Sequence, residues 1–310
     1  METRPLGALR VSVVGIGCNN FGMRIDEPAS VRVVDAAIDA GITFFDTADI
    51  YGGTKSEEFL GRALGARRSQ VLIATKFGMA VDANRKGAHP TYIRQAIEDS
   101  LRRLGTDYVD LYQLHEPDPS VPIADTLGAL NDLVRAGKAR EIGCSNFSSE
   151  QLQEAERTAA SAGSARFVSV QNEYSLVHRE PERDVLGTCA RLGLAFLPYF
   201  PLASGLLTGK YASGTAAPAN SRLSQKWVTD RFLVEKNVAI AESLKTFAAE
   251  RGHTLLELAM SWLAQQPQVA SIIAGATSAE QIRTNAAAVR WQLTAADLAE
   301  IDRLAPRHSS

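Results

Sequence analysis

Cysteine is scarce: three in 310 residues, at positions 18, 144 and 189. The number is odd and no CxxC pair occurs, so neither a disulfide framework nor a zinc ribbon is expected, and reduced thiols in a cytoplasm are. Apolar runs are too short and too interrupted to cross a bilayer. The opening METRPLGALR lacks the apolar stretch of a secretory signal. Neither sign of charge dominates: 33 Lys and Arg against 35 Asp and Glu leave a net charge of -2. That balance offers no basic field for nucleic acid or an anionic membrane. Glycine and proline, 23 and 12, are too few for a low-complexity chain, and no linker divides it. What remains, 45% hydrophobic and 22% charged, is globular composition. The length suits one large α/β barrel or two ordinary domains.

Short apolar or β-branched runs alternate with amphipathic segments of helical length. The runs are VVGIG (13–17), ITFF (42–45), VLIAT (71–75), YVDLYQL (108–114), AREIGCS (139–145), FVSVQN (167–172), LAFLPY (194–199) and VASIIAG (269–275). Several are apolar almost throughout, as parallel strands covered by helices tend to be. Between them, TYIRQAIEDSLRRLG places Ile93, Ile97, Leu101 and Leu104 at helical spacing, with Gly105 as a stop. Thr54–Glu57, Ser148–Gln151 and Ser278–Gln281 each fit a capping box. Unbroken strand–helix alternation predicts parallel strands with right-handed crossovers. Eight such units favour a single-domain α/β fold, a closed (β/α)8 TIM barrel spanning residues 1–310. RPLGALRVS is expected to form a hairpin closing the barrel floor. Residues 200–229 form a long polar insertion, followed by helical stretches at 230–251 and 254–266, and LTAADLAEIDRLA reads as an extra terminal helix. Loops this long are uncommon unless they bind something or are disordered.

Chemistry in such a barrel sits where the strands end. Asp46 ends the second run, with Tyr51 in the loop beyond; Lys76 follows the third and His115 the fourth. Taken singly, a strand-terminal Lys or His is more often structural, and Tyr51 could anchor a loop. An acid, a phenol, an amine and an imidazole on three neighbouring strands are harder to dismiss together. A phenol with a pKa of about 10 exchanges protons poorly near neutrality. A lysinium beside it favours the phenolate, and an aspartate keeps the lysine charged and oriented. An imidazole can bond a substrate oxygen. The set suits protonation of a carbonyl oxygen as hydride reaches its carbon.

These residues, with the blocks GIGCNNFG, FFDTADIYG, IATKFG, DLYQLHEPD, REIGCSNFS, VQNEYSL, LPYFPLASGLLTGKY and IIAGATSAEQIRTN, resemble the aldo-keto reductases over nearly the whole chain. The branch most similar holds potassium-channel β-subunits and bacterial general reductases. The resemblance implies a barrel binding NADP(H) or NAD(H) without a Rossmann domain and without a metal. It implies a tetrad of Asp46, Tyr51, Lys76 and His115, with Tyr51 as proton donor. It further implies that Ser145, Asn146 and Gln171 bond the nicotinamide carboxamide and that Tyr199 stacks on its ring. Leu202, Ser204, Gly205, Leu206, Lys210 and Arg222 would embrace the pyrophosphate and adenosine side from a loop covering the cofactor at about 200–229. Gly275, Thr277, Gln281 and Asn285 would surround the adenine ribose. Gln281 also serves as a capping-box partner, and Asn146 could simply start a helix. Some branches carry Lys and Arg where this chain has Gly275 and Gln281, so the grip on a 2′-phosphate falls to Lys210 and Arg222; NADP(H) is expected ahead of NAD(H).

Other motifs fail on spacing. GIGCNNFG is not GxGxxG, GLLTGKY is not a P-loop, and His115-Glu116-Pro117 is no HExxH helix. The expected function is reversible reduction of an aldehyde or ketone, with a small carbonyl or alcohol as partner and no nucleic acid or membrane. A nucleotide-bound regulatory subunit sensing redox state is the competing reading. Asn19, Asn20, Met23, Phe77 and Trp227 are expected to line the substrate pocket.

Overall fold

The computed structural model describes residues 1–210 and 226–307. Strands β1 (Thr3–Leu6) and β2 (Leu9–Ser12) pair antiparallel, the hairpin expected from RPLGALRVS. The other strands are β3 (Val14–Gly17), β4 (Phe44–Asp46), β5 (Leu72–Phe77), β6 (Val109–Leu114), β7 (Ala139–Ser145), β8 (Phe167–Glu173), β9 (Ala195–Tyr199) and β10 (Ile272–Gly275). They close into one barrel in the order β10-β3-β4-β5-β6-β7-β8-β9. Every pairing is parallel. Each of the eight apolar runs overlaps one of these strands, with β4, β5 and β8 extending one or two residues beyond theirs. The helices between them are α1 (Glu27–Asp39), α2 (Lys55–Leu64), α3 (Pro90–Leu104), α4 (Ile123–Arg135), α5 (Ser149–Ala162) and α6 (Val185–Leu192). After β9 come α7 (Lys226–Phe232), α8 (Glu235–Ala249) and α9 (Leu255–Ala264), and after β10 come α10 (Ala279–Ala287) and α11 (Ala295–Leu304). This is a single-domain (β/α)8 barrel.

Alternation along the strands sorts side chains into two layers. Phe44, Ala74, Leu111, Leu197 and Ile273 point inward and pack on Leu6, Leu9 and Val11 of the hairpin, which stoppers the floor. Val14, Ile16, Phe45, Ile73, Phe77, Tyr112, Leu114 and Val170 point outward into the larger core beneath the helices. The floor is thus closed by apolar packing.

Two of the three expected capping boxes differ from the sequence reading. Ser148 and Gln151 exchange both bonds, but Thr54 sits at φ 79° with no capping bond. Its expected partner Glu57 turns inward, accepting from Thr75 Oγ1 at 2.5 Å and Arg103 Nε at 2.6 Å. A buried carboxylate with two donors outweighs a surface cap. At Ser278 the hydroxyl takes the Gln281 N–H, while the Gln281 carbonyl reaches back one residue further, to the Thr277 N–H at 2.8 Å. The helix expected at 230–251 is two helices, broken at an extended Val234 (φ -71°, ψ 146°). The break lets Phe232 turn inward against Phe200, ring centroids 5.4 Å apart. Within the long insertion, Ala203–Thr208 forms a tight turn with Ser204 and Gly205 at φ 57° and 111°. Arg222 and the rest of 211–225 lie outside the described residues.

Candidate active site

Just above the apolar floor, the inward column of each strand turns polar. Two residues after Phe44, Ala74 and Leu111 come Asp46, Lys76 and Gln113, and Gln171 joins them from β8. Register sets Lys76 beside Gln113 and Asp46 beside Ala74. All four are almost fully buried. An ammonium has three donors, and Lys76 Nζ spends them on Asp46 Oδ2 at 2.6 Å, the Thr47 carbonyl at 2.9 Å and Tyr51 Oη at 3.4 Å. The other Asp46 oxygen accepts from Gln171 Nε2 at 2.9 Å and Gln113 Nε2 at 3.2 Å. Burial pulls the Lys76 ammonium down, but Asp46 and then Tyr51 outweigh it and hold it above its ordinary value. Lys76 is therefore charged across the neutral range.

Tyr51 reaches this lysine because the chain after β4 hugs β5. The N–H groups of Thr47 and Asp49 donate to the carbonyls of Ala74 and Lys76, at 2.8 and 3.1 Å. The turn then needs Gly52, which sits at φ 60° where any Cβ would strike the Phe21 carbonyl. His115 follows β6, its N–H on the Phe77 carbonyl at 2.8 Å and its ring edge-on to Tyr51, centroids 5.7 Å apart. Burial, helped by the Lys76 charge, lowers its imidazole to about 3. It is neutral at pH 7, and its buried Nδ1 has no partner. The four residues expected as a tetrad thus meet at one rim.

Ser145, Asn146, Gln171 and Tyr199 gather beside them. Ser145 Oγ donates to the Gln171 carbonyl at 2.7 Å. Asn146, at φ 62°, donates to the His115 carbonyl at 3.0 Å and accepts from Tyr199 Oη at 2.8 Å. Gln171 spends its side-chain N–H on Asp46 and its backbone carbonyl on Ser145, leaving its side-chain carbonyl as the group it can offer a ligand. Leu202, Ser204, Gly205 and Leu206 follow β9, and Lys210 is exposed beyond them. Gly275, Thr277, Gln281 and Asn285 follow β10, with Gly275, Thr277 and Gln281 at least partly accessible and Asn285 buried. A side chain at Gly275 would crowd Asn19 Oδ1 and Asn20 Nδ2 at 3.3 Å.

Of the five residues expected to line the pocket, Phe77 does not. Strand alternation turns its ring outward, fully buried and stacked on Tyr112 at 4.7 Å. Asn20 is also buried, donating to the Ala276 carbonyl at 3.2 Å and so tying the loop after β3 to β10. Met23 and Trp227 are 55% and 50% exposed. Gln113, absent from the sequence reading, was legible in DLYQLHEP: it lies two residues beyond inward Leu111. Among the described residues no group of three or more His, Cys, Asp or Glu could hold a metal, and no helix is long and apolar enough to cross a membrane.

A parallel barrel with a lysine, carboxylate and phenol joined at its rim defines a class of oxidoreductase, and residues 13–306 match the family model described as the Aldo/keto reductase family. The chain belongs to that family. It is 37% identical to a probable voltage-gated potassium channel subunit beta of Oryza sativa subsp. japonica, covering 92% of this chain and 90% of that one. It is 34% identical to probable aldo-keto reductase 1 of Glycine max, over 96% and 86% of the two chains. It is 35% identical to the uncharacterized oxidoreductase YrpG of Bacillus subtilis (strain 168), over 94% and 92%.

Proposed function

We propose that this oxidoreductase reduces an aldehyde or ketone to the alcohol, reversibly, with Tyr51 as general acid and base and NADP(H) preferred to NAD(H). The observation that carries the proposal is the Lys76 ammonium shared between Asp46 and the Tyr51 hydroxyl. The residues present fit a nicotinamide cofactor. Ser204 Oγ and Asn20 Oδ1 are buried without partners on the two loops that would flank it, and Gly275 keeps the space beside Asn19 and Asn20 open, where a Cβ would come within 3.3 Å of both side chains. Ser145, Asn146 and the side-chain carbonyl of Gln171 would hold the carboxamide, and Tyr199 would face the ring. Leu202, Ser204, Gly205 and Leu206 would border the pyrophosphate, with Lys210 and Arg222 supplying positive charge. Gly275, Thr277, Gln281 and Asn285 would take the ribose end. When bound, such a cofactor would supply the hydride for the carbonyl carbon.

The chain's own residues handle the proton. Tyr51 Oη gives it to the carbonyl oxygen, and the Lys76 charge stabilises the phenolate left behind. Asp46, steadied by two amides, keeps Lys76 charged and in place. Neutral His115 can bond the substrate oxygen without competing as an acid. Tyr51→Phe should leave cofactor affinity near wild type and lower carbonyl reduction by about 10²–10⁴-fold, the usual scale of a general acid. Near wild-type kcat in that variant would refute the role, and titration with NADPH and NADH checks the preference. Relatives named as potassium-channel β-subunits favour a second reading, a nucleotide-bound redox-sensing subunit. Tight cofactor binding without turnover across a broad carbonyl panel would support it. Three buried free cysteines are compatible with a reducing cytoplasm as the location.

A further inference from the structure

Behind the tetrad, on the outward side of β5 and β6, lies a buried polar cluster that the proposed chemistry does not use. Asp49, 2% exposed, sits midway between Asp46 and Tyr51. Its N–H is fixed to the Lys76 carbonyl at 3.1 Å. Its carboxylate accepts from Tyr92 Oη of α3 at 3.2 Å, while its Oδ1 has no partner. Glu57 faces it from α2, Arg103 and Tyr92 from α3, and Tyr112 from β6. Arg85 acts on Tyr92 from the loop before α3. Tyr112 Oη is likewise buried without a partner. Glu57 already holds Arg103 at 2.6 Å, so the Asp49 carboxylate feels that guanidinium only as a charge and has no ion pair with it. Two orphaned atoms in one buried cluster are costly to keep, and such cost is commonly retained where it serves function.

We propose that Asp49 is a positioning residue for Tyr51: through its N–H on Lys76 and its carboxylate on Tyr92, it fixes the short span that carries the phenol to the lysine. The inference rests on Tyr51 as proton donor. Burial, with Glu57 next, pushes the Asp49 carboxyl up to about 7, against the Tyr92 hydrogen bond, the Arg103 charge and the Ile50 backbone N–H. Ionised, Asp49 accepts a charge-assisted bond from Tyr92, shorter and stronger than the neutral one. The span is therefore tightest above pH 7.

The first test needs neither cofactor nor substrate. In NMR spectra of the full chain from pH 5.5 to 8.5, the backbone amides of Asp49, Ile50 and Tyr51 should titrate near pH 7. The step should vanish in Asp49→Asn and move to higher pH in Tyr92→Phe, which loses the bond favouring the charge. A step that survives in Asp49→Asn, or never reaches Tyr51, overturns the proposal. In turnover, Asp49→Asn should lower kcat about tenfold, less than loss of the general acid itself, with the carbonyl KM unchanged and the rise near pH 7 gone. Unchanged kcat alongside a vanished NMR step also overturns it. An active Tyr51→Phe would instead sink the reductase mechanism, with the NMR result standing apart.

Discussion

Lys76 is the residue on which the site turns. It is fully buried, and an ammonium in such a place survives only if paired and hydrogen-bonded. Asp46, the Thr47 carbonyl and Tyr51 meet that need, so the charge that stabilises the phenolate is built into the fold. Lys76→Met should reduce kcat to near the level of Tyr51→Phe and move the activity-linked ionisation of the phenol upward, since its positive neighbour is gone. A kcat–pH profile with that ionisation unmoved would contradict the electrostatic account. His115 cannot supply a step near neutrality, because its imidazole lies at about 3. A step near pH 7 that disappears in Asp49→Asn is therefore assignable to Asp49. Asp46, Tyr51, Lys76 and His115 could be found from residue type and strand ends. Asp49 could not: its partners come from α2, α3 and β6, and an aspartate in DTADIYGG reads as turn chemistry until its burial is known.

At the scale of elements, strand period did most of the predictive work. Runs such as VLIAT and FVSVQN are rich in β-branched residues, and their alternation decides which side chains face the barrel. Where the reading failed, tertiary contacts had overridden a local signal, as at Glu57, drawn inward from its cap, and Phe77, turned outward by the same period that turns Lys76 inward. The terminal helix was legible as a helix, but its anchor was not. Arg179, in the loop after β8, is 3% exposed at its side chain and bonds Glu182 at 2.6 Å, Asp302 at 2.7 Å and the Ala305 carbonyl at 2.6 Å. Its guanidinium also lies over Trp262, 5.0 Å from the ring centroid. This clamp ties α11 to the barrel. Arg179→Ala should cost about 3–5 kcal/mol, the scale for breaking a buried ion pair, and should raise amide exchange in α11 first. Exchange that rises evenly over the whole chain would show that the clamp is not local.

At the scale of the molecule, barrel closure brings residues far apart in sequence, Asp46 and Gln171 among them, within 2.9 Å. No local pattern announces that distance. It also buries two titrating groups with opposite consequences for stability. His115 has a folded value of about 3 against 6.5 for an ordinary imidazole. The unfolded chain then binds a proton the folded one refuses, and this contribution to stability rises with pH from about 3 to 6.5. Asp49 has a folded value of about 7 against 3.8. Here the folded chain keeps a proton the unfolded one releases, so its contribution falls as pH rises from 3.8 to about 7. Between pH 4 and 6.5 the two slopes oppose each other and largely cancel. Asp49→Asn removes one of them. Relative to wild type, this variant should gain stability steadily with pH, by roughly 2–4 kcal/mol between pH 4 and 7 at about 1.4 kcal/mol per pH unit. Contributions from groups that do not interact with Asp49 cancel in that difference. Urea unfolding of both proteins at several pH values measures it, and a difference that stays constant with pH would show that Asp49 is ionised throughout. A variant both more stable at pH 7 and slower in turnover would mean that the buried charge is kept for the position it gives Tyr51, at a cost to the fold.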